Sequence, residues 1–179
     1  MKKVILLLLL FMPCIAHAQG FEIKDGAVVM TKIINTELSI EEVHDVAETF
    51  FANTYGDSNR TQRVNTPTHL IYSGLFMNVA SHVGGLWVLD YKHTIDIAIK
   101  DGRVRIQVSC DKAIYRGTQS IQSYEIDIAS SYPVAQNAKC AVGSKKLMEN
   151  ALENGCNRMR EVISSFENAL KNKVTEEDW

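Results

Sequence analysis

The segment from Trp87 to Val108 limits the possible folds more than any other part of the chain. Trp87, Leu89, Tyr91, His93, Ile95, Ile97 and Ile99 alternate with Asp90, Lys92, Thr94 and Asp96. A period of two over this length describes an extended strand with one face buried. A second alternating run, "RVRIQV", follows directly after Asp101-Gly102. Asp-Gly is the preferred pair for a two-residue type I′ turn, whose twist matches that of the strands it joins. A turn of this length sets Ile99 against Val104, Ile97 against Ile106 and Ile95 against Val108 on the apolar face. Lys100 then meets Arg103, Ala98 meets Arg105 and Asp96 meets Gln107 on the opposite face. Carried further, the same register puts His93 opposite Cys110.

The flanking sequence extends this hairpin into one α+β domain. "AVVMTKIIN" at Ala27–Asn35 is rich in β-branched residues and is expected to be a strand. Ser39 and Glu42 then form a capping box, and Leu38 and Val43 are spaced for a hydrophobic staple. Val43, Val46, Ala47 and Phe50 recur at helical spacing, so a helix is expected from Ile40 to Tyr55, with Gly56 as its stop. Between Arg60 and Gly117 the pattern predicts antiparallel strands, with Gly74 at a bulge or a close approach. Gly84-Gly85 supplies a turn. A further short strand is expected at Tyr124–Ala129. A long helix is expected at Lys145–Lys171, its apolar stripe formed by Met148, Leu152, Cys156, Met159, Ile163, Phe166 and Leu170. "TEEDW" closes the chain as an acidic tail.

The first eighteen residues have the pattern of a cleaved export signal. Lys2 and Lys3 precede the apolar run "VILLLLLFM", and "AHA" at Ala16–Ala18 places the cut before Gln19. The run is shorter than the roughly 20 residues a spanning helix needs, so no transmembrane segment is expected after cleavage. Phe11, Met12 and Pro13 do not form a lipobox before Cys14. The mature domain, Gln19–Trp179, is therefore expected in the periplasm or outside the cell. Losing Lys2 and Lys3 lowers the 19 basic residues to 17 against 21 acidic ones, a net charge of −4. An acidic exported domain lacks the phosphate-neutralising charge that nucleic-acid binding uses. Cys110, Cys140 and Cys156 remain in an oxidising compartment, and a Cys140–Cys156 bridge is one possible pairing.

The strand and capped helix, "IYSG" at Ile71–Gly74 and above all "IAIKDGRVRIQV" at Ile97–Val108 resemble the exported bacterial proteins of domain of unknown function 4468. That family carries a similar K-D-G-R-x-R hairpin, and the likeness runs from about Val28 to Gly117. The resemblance implies a fold similar to the TATA-binding protein, a curved antiparallel sheet with two helices packed on one face, and the residue patterns above give the order β-α-β-β-β-β-α. It implies no activity, and a shared fold does not bring DNA binding with it.

Two constellations carry chemistry. His93 opposite Cys110 is the minimal arrangement for an activated thiolate, set against a histidine that merely satisfies a hydrogen bond at the sheet rim. Lys100, Arg103 and Arg105 are candidates for holding an acidic glycan, a phosphate or a partner loop, set against a solvated edge partly offset by Asp96 and Asp101. The histidines form no pair at metal-ligand spacing on one element, and no phosphate loop, nucleophile elbow or H-E-x-x-H motif occurs. No cofactor or metal is expected. The functional expectation is a non-enzymatic envelope module that binds a protein or glycan. The alternatives are a thiol-dependent enzyme using Cys110 and His93, or a structural subunit of an envelope assembly docking through its C-terminal helix.

Overall fold

The computed structural model describes residues 20–55, 62–118, 123–128 and 145–176. The expected signal segment, Cys14, Gly56, Cys140 and the last three residues lie outside them. Seven strands form one antiparallel sheet: β1 (Glu22–Lys24), β2 (Ala27–Asn35), β3 (Gln62–Thr66), β4 (His69–His82), β5 (Trp87–Lys100), β6 (Arg103–Gly117) and β7 (Ser123–Asp127). The helices are α1 (Ile40–Tyr55) and α2 (Lys145–Glu176). The expected order is present, with β1 and β3 added to it. α2 runs five residues beyond the expected Lys171 end, to Glu176.

The strands run β1-β2-β6-β5-β4-β3 across the sheet. β3 to β6 are joined in sequence, whereas β2 lies beside β6, so α1 must cross the sheet to reach β3 on the far side. The outer edge of β6 is shared. β2 takes Arg103–Cys110, β7 takes Lys112–Arg116, and Asp111 is the bulged residue between them. The bulge changes the parity of inward positions on β6, from Val104, Ile106, Val108 and Cys110 to Ala113 and Tyr115. One face therefore stays apolar along the whole strand.

The β5–β6 register is the expected one from Lys100–Arg103 through His93–Cys110. The turn differs. Gly102 has φ of +70°, but Asp101 does not have positive φ, so this is not the type I′ turn, which needs both. The type I′ signature appears at Asp25-Gly26 between β1 and β2, where φ is +50° and +82°.

Both helices cover the same sheet face. α1 opens with the capping box: Ser39 N–H donates to Glu42 Oε2 at 2.7 Å, and Glu42 N–H to Ser39 Oγ at 3.3 Å. It buries Val43, Val46, Ala47 and Phe51. Phe51 stacks on Tyr72 of β4 with centroids 3.6 Å apart, and Phe50 meets Phe166 of α2 edge-on at 5.5 Å. α2 buries Met148, Cys156, Met159, Ile163, Phe166 and Leu170 of the expected stripe together with Leu147 and Ala151, while Leu152 is half-buried at its side. Gly155, a costly residue in mid-helix, sits where the Tyr91 ring packs, and a Cβ there would lie 2.6 Å from it. Cys156 is a free buried thiol on this face. The inward stripe of α2 takes Cys156 into the core, and Cys140, its partner in the bridge considered from spacing, lies outside the described residues.

Candidate functional site

Gly74, His93, Cys110 and Val28 stand side by side across β4, β5, β6 and β2. His93 is thus mid-sheet and 2% exposed, not at the rim. The Tyr55 hydroxyl at the end of α1 lies 2.6 Å from His93 Nε2, and Phe76 stacks on the imidazole with centroids 3.9 Å apart. Gly74 makes this packing possible. A Cβ at that position would come within 2.9 Å of His93 Cε1 and 3.0 Å of Tyr55 Cε1. Of the two sequence-based alternatives for Gly74, the structure selects close approach. The bulge of β4 falls between Phe76 and Ala80.

The electrostatics of this cluster oppose thiolate chemistry. Burial lowers the pKa of His93 to about 4, so the ring is neutral at pH 7. Burial, with a smaller contribution from Cys156, raises that of Cys110, so the thiol keeps its proton. An activated cysteine needs the reverse: a depressed pKa, an imidazolium beside it and access to solvent. His93 Nδ1 is buried with no hydrogen-bond partner among the described residues.

The opposite face of the sheet carries charge. Lys92 and Lys112 face each other across β5 and β6, a destabilising pair, but β7 brings Glu125 to the first and Asp127 to the second. Arg116 Nε donates to Asp90 Oδ2 at 2.5 Å. Asp90 Oδ1 accepts the N–H of Asn78, which sits in the β4 bulge with φ of +55°. Arg105 donates to Asp96 at 3.0 Å, and Asp96 also meets His69 at 3.3 Å. Of the six Lys and Arg residues on β5 and β6, Lys100 and Arg103 have no ion partner among the described residues. With Arg105, Ala98 and Ile33 they line a depression of about 220 Å³. Ile33 is 62% exposed and lies opposite Arg105. The structure thus brings the three basic candidates together and adds Ile33, which sequence alternation alone had not marked as exposed.

His44, Asp45 and Glu48 of α1 place ligand-type atoms within 4.8 Å of one another. His44 Nε2 is already engaged by Asn65 Oδ1 at 2.7 Å, and the Asn65 amide donates to Glu48 at 2.6 Å. These contacts dock α1 on β3.

This architecture, a curved open antiparallel sheet with two helices on one face, is the α+β class called TBP-like. It is shared with a TBP-like protein from Parabacteroides distasonis ATCC 8503, at TM-score 0.63 and 14% identity, over 84% of this chain and 97% of that one. A DUF4468 family protein from Bacteroides ovatus ATCC 8483 matches at TM-score 0.52 and 13% identity, over 83% of this chain and 90% of that one. No family model and no curated protein matches the sequence. The likeness is one of fold, and the fold expected from the DUF4468 resemblance is the one found. No helix among the described residues is long and apolar enough to cross a membrane.

Proposed function

We propose that this chain is an exported, non-enzymatic binding module of the cell envelope. Its contact surface is the hairpin end of the open sheet face, where Lys100, Arg103 and Arg105 receive an anionic partner, a protein or an acidic glycan. The observation that carries this reading is the charge inventory of that face. Lys92, Lys112 and Arg116 are neutralised in place and Arg105 is partly offset by Asp96, whereas Lys100 and Arg103 have no ion partner among the described residues and lie beside an exposed isoleucine. Burial of His93 and Cys110 argues against the thiol-enzyme alternative. Envelope extract passed over the immobilised protein is expected to yield partners that the Lys100/Arg103/Arg105 triple alanine fails to retain. Equal recovery on both would remove the patch from the account.

Export rests on Lys2, Lys3, the apolar run and Ala16–Ala18. Protein recovered from the envelope fraction is expected to begin at Gln19 by intact mass. A mass retaining residues 1–18 would refute cleavage.

A further inference from the structure

We infer that the free edge of β2 is a docking site for an extended peptide that alternates apolar and acidic residues. The inference rests on the binding role given above to the basic patch and specifies how a partner reaches it.

β1 pairs with β2 only at Ala27–Val29, so Met30–Asn35 has a neighbour, β6, on one side alone among the described residues. Thr36 N–H donates to the Gly102 carbonyl at 3.1 Å, which sets the alternation along the ladder. Even-numbered residues of β2 exchange hydrogen bonds with β6. Thr31, Ile33 and Asn35 turn their N–H and C=O groups to the open edge. An unpaired edge of this kind is a template for an added strand, and it carries neither proline nor bulge to prevent pairing.

The two flanks of the edge differ in chemistry. On the helix side a groove of about 320 Å³ runs between Lys32–Glu37 and the end of α2, its wall formed by the apolar Leu170 and Val174 together with the oppositely charged Glu167 and Lys171. Lys32 on this side is held by Glu167 at 2.5 Å. On the open side lie Ile33, Arg103, Lys100 and Arg105. A strand added here would send successive side chains to opposite flanks. The apolar side chains would pack toward Leu170 and Val174, and the carboxylates would face Arg103 and Lys100.

The test titrates a capped seven-residue peptide of alternating valine and glutamate into the ¹⁵N-labelled protein. Saturable shifts at the amides of Thr31, Ile33 and Asn35 are expected, with those of Met30, Lys32 and Ile34 held by β6. Thr31→Pro removes one edge donor at a position where proline is tolerated, and it should weaken binding roughly tenfold. The same peptide N-methylated at alternate residues should not bind, which tests the inference independently of how the variant folds. Absence of saturable shifts at these amides, or equal affinity for the N-methylated peptide, overturns the inference. If the edge variant binds as wild type while the triple alanine loses envelope partners, the patch reading stands and the edge inference falls. If Thr31→Pro weakens the peptide and the triple alanine retains every envelope partner, the edge stands and the patch reading falls.

Discussion

Acidification from pH 6.5 to pH 4 is expected to cost the folded protein roughly 3 kcal/mol through His93 alone. Burial lowers the folded-state pKa of the ring to about 4, below the ordinary value of 6.5. Between these two values the unfolded chain binds a proton that the folded chain refuses, so stability falls as pH falls. Above pH 6.5 both states are neutral at this position and the contribution is fully present. His93→Gln removes the titrating group, so denaturant midpoints of the variant should change less across this window than those of wild type. Parallel curves for the two proteins would show that His93 is not buried as described. The effect is one of stability, consistent with a histidine that fills the space beside Gly74 and bonds Tyr55.

Replacing Asp90 with alanine is expected to destabilise the protein by about 3 kcal/mol, the lower part of the range for breaking a buried ion pair. Asp90 is 2% exposed, while the Arg116 side chain is one-third exposed and regains some hydration once unpaired. The second loss is backbone. The N–H of Asn78, in a left-handed conformation inside the β4 bulge, would have its acceptor removed. Asp90→Asn retains an oxygen for that N–H and should cost less than the alanine. Urea midpoints of the three proteins check this order, and an alanine variant within 1 kcal/mol of wild type would contradict it. The pair also keeps Arg116 out of the set of free cations on the open face.

How much of this was legible in sequence depended on how local the cause was. The β5–β6 register follows from a short turn and period-two alternation, both contained in adjacent residues, and it held as far as His93–Cys110. Asp25-Gly26 offered the same signal, but the three-residue strand before it is too short to show alternation. Tyr55 as the partner of His93 was not legible, because β3 and β4 intervene between the end of α1 and β5. Asp90 fits the polar alternation of β5, so its burial beneath a bulge in β4 left no mark on its own segment. The charge patch was legible as residues but not as a site. Which cations remain free depends on β7, whose acids reach Lys92 and Lys112 through a pairing the sequence did not specify.

Function on the open face, with a structural role for the buried His93–Cys110 pair, is what we propose. It is tested most directly by one capture experiment on envelope extract with three immobilised proteins: wild type, Cys110→Ala and the Lys100/Arg103/Arg105 triple alanine. The account predicts that Cys110→Ala retains the wild-type set of partners and the triple alanine loses it. Loss with Cys110→Ala, in a variant that melts as wild type does, and full retention by the triple alanine would contradict it.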